Sequence, residues 1–140
     1  MNEDKLSRFG VSIPSKLLKK FDSLIKGRGY SNRSEAIRDL IRDYLVRDEW
    51  KSDGNVVGSL TIVYNHNVRG VSDRLIETQH HFHGNVISSI HVHLDEHNCV
   101  EVLVLEGKAS EIRKIADHII ASRGVKHGDL VLTTKGKELE

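Results

Sequence analysis

One short segment limits the possible fold more than any other. In Leu6-Ser-Arg-Phe-Gly-Val-Ser-Ile13 the pattern alternates, so Phe9, Val11 and Ile13 share one face of a strand while Arg8, Gly10 and Ser12 share the other. A lone strand has no ladder to join, and the residues after Ile13 have a helical pattern instead. Pro14 suits a first helical turn, and Leu17, Leu18, Phe21, Leu24 and Ile25 recur at helical spacing until Gly27 and Gly29 stop the run. A second helix is expected after Tyr30. Asn32 caps it, Glu35 completes a capping-box pattern, and Ala36, Ile37, Leu40, Ile41, Tyr44 and Leu45 form its apolar stripe. A segment this short seldom stabilises itself as strand, helix, helix, whereas pairing the strand with its copy from a second chain gives a two-stranded ribbon over four helices. Arg8 and Ser12 then face outward from both strands, and such a ribbon fits the DNA major groove.

The net charge of +1 conceals an asymmetry that agrees with this picture. Between Lys5 and Arg42 the basic residues Lys5, Arg8, Lys16, Lys19, Lys20, Lys26, Arg28, Arg33, Arg38 and Arg42 face only Asp22, Glu35 and Asp39. All nine histidines lie at or beyond His66, in a half where acids slightly outnumber lysine plus arginine. The first half suits an anion and the second a cation. No stretch approaches the roughly 20 apolar residues of a membrane span, so no membrane partner is expected. Met1-Asn-Glu-Asp4 lacks the basic-then-apolar run of a signal peptide, and the single cysteine cannot form an internal disulfide, so a reducing cytoplasm is the expected location.

Asp48 to Asn55 is polar, contains Gly54, and reads as the end of the helix and a short linker. Beyond it, Val56 to Tyr64 reads as a strand and Val68 to Phe82 as a helix with Val71, Leu75 and Ile76 inward and Gly84 near its end. Val86 to Leu94 is the next strand, and Cys99 to Leu105 is its hairpin partner after the turn Asp95-Glu-His-Asn98. Ser110 to Ser122 is a helix burying Ile112, Ile115, Ala116, Ile119 and Ile120, and Leu130 to Thr133 closes the set. Strand, helix, strand, strand, helix, strand is the split βαβ order of ferredoxin-like domains. The expected class is therefore α+β, with residues 1–50 as a first domain, 51–55 as a linker and 56–140 as a second domain.

Within Val86–Leu94, period two puts His91 and His93 on one face of a strand taken as central, with Cα atoms about 6.5 to 7 Å apart. Two imidazoles at that spacing can meet one ion, and Cys99, opening the paired strand, brings a sulfur toward the same place. A fourth ligand is available from Gln79-His-His-Phe-His83, although the residues alone do not choose among His80, His81 and His83, or say which chain supplies it. Three imidazoles and a thiolate suit tetrahedral zinc, or Cu(II) or Ni(II) in a planar geometry. Glu101 follows Cys99 at strand spacing and can orient a ligand imidazole by accepting its hydrogen bond.

Arg8-Phe-Gly-Val-Ser-Ile-Pro14, followed by Gly29-Tyr-Ser-Asn-Arg-Ser-Glu-Ala-Ile-Arg-Asp39, resembles the ribbon-helix-helix fold of bacterial and archaeal repressors. The resemblance implies that Arg8, Gly10 and Ser12 point to base edges, while Ser31, Asn32, Arg33 and Ser34 at the start of the second helix grip phosphate through backbone N–H groups. Gly10 has no side chain to read a base, so readout rests more on Arg8, Ser12 and DNA shape. Thr78-Gln-His80, Ser89-Ile-His91-Val-His93 and Glu96-His-Asn-Cys99 resemble the nickel-responsive regulators of the NikR family, across nearly the whole chain. That resemblance implies a ribbon-helix-helix domain joined to an ACT-like domain, in a homotetramer whose two DNA-binding dimers flank a central core. It implies one Ni(II) per subunit, bound in a square plane by His91, His93 and Cys99 with His80 from a neighbouring subunit, and further metal roles for His81 and His83. It also implies that Glu35 and Asp39, which share a helix face, bind a hard cation such as potassium between the domains.

The function expected from these features is a nickel-dependent repressor, not an enzyme, that binds a palindromic operator and lowers nickel import. Two rivals have distinct signatures. A regulator of the same plan sensing zinc or a small molecule would differ only at its effector site. A zinc hydrolase needs an open coordination position and a general base, but four protein ligands leave no such position and the chain has no HExxH motif.

Overall fold

A computed structural model describes residues 5–139; the outermost ends of the two expected domains, residues 1–4 and 140, lie outside the described residues. The chain divides into two compact units, the first ending at Ile41 and the second beginning at Arg42.

Among the described residues, 5–14 carry no strand pairing in a single chain. Phe9 is 72% and Val11 63% exposed, so among the described residues the apolar face of the expected ribbon is only partly covered, mainly at Ile13. The helix α1 (Ser15–Gly27) starts directly after Pro14, whose carbonyl accepts the N–H of Leu18 at 3.1 Å. Gly29, at φ +85°, turns the chain out of it, a conformation glycine adopts without a Cβ penalty. Helix α2 (Arg33–Lys51) begins as expected, with Asn32 Oδ1 accepting the Glu35 N–H at 2.9 Å. Arg33 joins α2 to α1 through a two-pronged pair with Asp22, both contacts at 2.8 Å. Ile25 and Ala36 are buried, but Leu17, Leu24, Leu40 and Ile41, expected as parts of inward stripes, are largely exposed.

The polar stretch read as a linker is helical as far as Lys51, and only Ser52 to Gly54 form a turn before the next strand. Trp50 explains the extension. Flanked by charged residues, it is nevertheless buried among the core residues of the second unit, its indole N–H donates to the Thr133 carbonyl at 2.8 Å, and the Arg113 guanidinium lies 5.2 Å from its ring.

The second unit follows the ferredoxin-like order: β1 (Asn55–Asn65), α3 (Val71–His81), β2 (Val86–His93), β3 (Asn98–Lys108), α4 (Ala109–Ile120) and β4 (Val125–Thr133). The sheet order is β2-β3-β1-β4, with every neighbouring pair antiparallel. Thus β2, taken as central from sequence, is an edge strand. Strand β4 starts at Val125 rather than Leu130: His127 to Asp129 pair with β1 although they hide its alternation, and Lys126 sits at a register shift between the pairs of Val125 and His127.

One sheet face carries the core: Val56, Leu60, Ile62 and Tyr64 of β1 and Cys99, Leu103 and Leu105 of β3 are buried with Val71 and Leu75 of α3 and Ile112, Ile115, Ala116 and Ile119 of α4. Each such aliphatic side chain contributes about 1.5–3 kcal/mol by leaving water. Ile76, expected inward, is 53% exposed, and Ile120 is partly buried at the margin. The opposite face is also apolar, with Val63, Val100 and Val102 half-buried and Ile90, Val92 and Val131 exposed.

Candidate metal centre

Strand register brings the donors together. His93 lies opposite Cys99 and His91 opposite Glu101 in the β2–β3 pair, while Tyr64 lies opposite Cys99 in the β1–β3 pair. Directly opposed residues project from the same face, so His93, Cys99 and Tyr64 form one row and His91 and Glu101 the next. Cys99 is fully buried, and its Sγ lies 3.3 Å from His93 Nδ1. On its other side, His66 Nδ1 lies 3.2 Å from the same sulfur. His66, His93 and Cys99 have ligand atoms that all lie within 4.8 Å of one another. The His91 and His93 rings are 5.0 Å apart, and Tyr64 Oη is 3.0 Å from His91 Nδ1.

The surrounding bonds hold this geometry before any ion arrives. His66 donates its backbone N–H to the His97 carbonyl at 2.9 Å, which anchors the end of β1 to the β2–β3 turn. Asp95 accepts the N–H groups of His97 at 2.8 Å and Asn98 at 2.7 Å. The Asn98 side chain and these two N–H groups pull the Asp95 carboxyl down to about 2, so it is ionised in the turn. Burial, followed by the negative fields of Asp95 and Glu101, pushes the Cys99 thiol up. Burial, with Glu101 and Cys99 nearby, pushes Tyr64 up to about 12 and keeps it a neutral phenol beside His91.

The donor set fits a first-row transition ion. With metal–sulfur near 2.3 Å and metal–nitrogen near 2.0–2.1 Å, adjacent donors stand about 3.1 Å apart at a right angle and about 3.6 Å apart at a tetrahedral angle. The two S···N distances, 3.2 and 3.3 Å, fall between these limits. A thiolate with imidazoles also excludes hard cations as the preferred guest.

A profile described as the NikR C terminal nickel binding domain matches residues 57–133, and one described as a ribbon-helix-helix protein of the copG family matches residues 7–48. The chain belongs to the NikR family of nickel-responsive regulators. Relatives described as candidate nickel-responsive regulators include one from Geobacter sulfurreducens, 61% identical over 94% of this chain and 96% of its own length. Another from Caldanaerobacter subterraneus is 59% identical over 94% of this chain and 86% of its own length, and one from Thermococcus onnurineus is 56% identical over 96% and 99%. Among solved structures, an uncharacterized protein from Thermotoga maritima superposes with a TM-score of 0.50 at 19% identity, covering 56% of this chain and 96% of that one, a likeness of fold alone.

In this NikR-family chain the structure distributes the expected site residues unevenly. His93 and Cys99 meet, and His91 stands beside them, but His80 does not join their cluster. It lines a shallow cleft with Gln79, His83, Ser88 and Ser89. His83 Nδ1 lies 3.2 Å from the His80 carbonyl, and His81 packs edge-on against Phe82. Glu101, expected to orient a ligand imidazole, lies opposite His91 and accepts the Gln79 side-chain N–H at 2.8 Å, which ties α3 to β3. In the first unit, Ser31 donates to Glu35 at 3.0 Å and Tyr30 to Asp39 at 2.5 Å, so both carboxylates have local partners. Arg8, Gly10 and Ser12 are exposed, as are Ser31, Asn32, Arg33 and Ser34 at the start of α2, where the Arg33 side chain is already held by Asp22.

Sequence pattern does not point to His66. It stands alone, outside both histidine clusters, and only the pairing of Asn65 with Asn98 carries it to the sulfur.

Proposed function

We propose that this chain is a nickel-dependent transcriptional repressor of nickel-uptake genes that works as a cytoplasmic homotetramer on a palindromic operator, and that it is not an enzyme. The observation that carries the reading is a buried cysteine facing histidines in register, in a chain that also carries a basic ribbon-helix-helix segment. His91, His93 and Cys99, with His80 of the partner subunit, would hold one Ni(II) per subunit, in the square plane that the family resemblance implies. Bound nickel supplies a cross-link between subunits through ligands of fixed geometry. A ligand set drawn from two chains accounts for His80 standing apart from the other donors in one chain. It also supplies a physical route to regulation, because metal favours the tetramer arrangement that brings its ligands together, and only unequal affinity for the arrangements shifts DNA binding.

The domain limits proposed are 1–50 for DNA binding, 51–55 for the linker and 56–140 for the ACT-like metal-binding and assembly domain. The uncovered strand face at Phe9 and Val11 supports pairing of two ribbons, and the apolar second sheet face at Ile90, Val92 and Val131 supports assembly through the other domain. Arg8 and Ser12, with Gly10 between them, read the operator, and the backbone at Ser31, Asn32, Arg33 and Ser34 binds phosphate. Glu35 and Asp39 offer oxygens to a hard cation such as potassium, and His81 and His83 take weaker metal roles.

The test is titration of the metal-free protein with Ni(II), followed by absorption, alongside operator binding. The reading expects thiolate-to-nickel charge transfer and planar d–d bands saturating near one nickel per chain, with DNA affinity gained in step. Octahedral spectra without a thiolate band would overturn it.

A further inference from the structure

The boundary between the two units falls inside a helix: the first ends at Ile41 and the second begins at Arg42, while α2 runs unbroken from Arg33 to Lys51. The part of α2 that belongs to the second unit is fastened along one face. Arg42, Val46, Glu49 and Trp50 recur at helical spacing and so share a stripe. Val46 packs against the core, and Trp50 lies within it, donating to the Thr133 carbonyl at the end of β4. Thr134, the next residue, donates its hydroxyl to Glu49 Oε2 at 2.9 Å and accepts the Gly136 N–H at 3.2 Å. Lys135 pairs with Glu106 near the end of β3. Gly136, at φ +81°, turns the chain, and the Leu139 carbonyl then accepts the Arg42 side-chain N–H at 3.2 Å. Residues 134–139 therefore tie β3 and β4 to two points on α2, which stand about 10 Å apart along its axis.

These ties gather at the end of the sheet away from the metal donors. Val57 of β1 pairs with Thr133, whereas Tyr64 pairs with Cys99. The intervening strand spans about 23 Å, so the tail acts on the donors only through β1 and β3. We propose that residues 134–139 are a strap that holds the last turns of α2 to the sheet, with Thr134 and Glu49 as positioning residues, and that the strap carries the metal state of the second unit to operator binding. The inference rests on the nickel-dependent reading above. Helix ends are the first part of a helix to open. With the strap closed, the end of α2 moves as one body with the sheet, and the arrangement that metal favours is passed along the helix toward the ribbon. With it open, that path is slack, and metal binding shifts operator affinity less, because coupling is the difference in affinity between two arrangements.

The experiment uses the full-length chain carrying Thr134→Val and Gly136→Val together, with Thr134→Ser as the conservative variant that keeps the hydroxyl. Valine at position 136 opposes a φ of +81°. Trp50 is the one tryptophan of the chain, so its emission, with amide exchange over residues 46–51, reports whether the helix end has left the sheet. Exchange at these amides should quicken by about 10-fold in the double variant, since the bonds that hold the turn are lost. Nickel affinity without DNA should change by less than about 2-fold, because the donors lie far from the substitutions. The gain in operator affinity on nickel loading should shrink by about 5-fold or more, and, since coupling is reciprocal, nickel affinity of the operator-bound protein should fall by the same factor. Thr134→Ser should match the wild-type protein on every count. Faster exchange with an undiminished operator gain would overturn the transmission, and unchanged exchange and emission would overturn the strap itself. Equal losses of nickel affinity with and without DNA would overturn it too, by making the tail a general support of the metal centre. A wild-type protein that gains no operator affinity with nickel would sink the nickel reading and the transmission together, whereas the exchange comparison decides the strap by itself.

Discussion

The two units solve the problem of burial in opposite ways. The second unit completes a core from its own strands and helices, with Leu60, Ile62, Leu103 and Ile112 fully buried. The first buries Ile25 and Ala36 but leaves Phe9, Val11, Leu17 and Leu40 largely in water. A region with a finished core can hold a donor set in place by itself, whereas a region with an unfinished one needs a further surface to cover it, which the proposed pairing of two ribbons would supply. Metal chemistry can therefore begin within one chain, while recognition of DNA by a ribbon requires two.

Damage should be greatest on the unfinished side. Val11→Asp places a carboxylate on the apolar ribbon face, and operator binding should be lost outright, because an unpaired charge in a ribbon-covered core costs more than the complex can sustain. Thermal unfolding of the sheet unit should shift by less than about 0.5 kcal/mol in the same variant. A parallel loss of sheet stability would show that the two regions do not stand independently.

Trp50→Ala attacks the finished side. Removing a buried indole that donates to Thr133 should lower the denaturant-derived stability of the second unit by about 3–5 kcal/mol. A loss below about 1 kcal/mol would mean that the core closes without its helical anchor.

Cys99→Ala leaves that core standing and removes its sulfur. Nickel affinity should fall by more than about 100-fold, beyond the range usual for an outer partner, while circular dichroism stays the same. A variant that still gained operator affinity with nickel would dissociate the sulfur from sensing.

Protonation gives the mildest and most gradual response. Because burial raises the thiol above its ordinary value of 9.0, Cys99 is protonated across the neutral range and must lose that proton to bind metal. Nickel affinity should therefore rise with pH by up to about tenfold per unit near neutrality, and calorimetry in buffers of different ionisation heat should report proton release. An affinity flat over that range would mean that the sulfur does not enter the coordination shell.

Much of the finished unit is legible in the sequence because it is periodic. Alternation in β2 and β3 places His91, His93 and Cys99 on facing strands, and helical spacing marks α4. Trp50 escaped because its neighbours are charged, so no apolar stripe announced it; its burial is set by the sheet it meets. Ile76 fits the helical period yet is exposed, because a helical period does not say how wide a face the sheet will cover. His66 and the Gln79–Glu101 bond were invisible for a related reason: both depend on which residue of one element comes to rest beside which residue of another.

The burial of Cys99 also bears on a stimulus other than metal. Its sulfur is fully covered, its thiol is held in the less nucleophilic protonated form, and it has no second cysteine in the chain as a resolving partner. Peroxide and alkylating reagents act on exposed thiolates, so they should find this residue inert. The sulfur proposed to take a cation would thereby be shielded from such reagents.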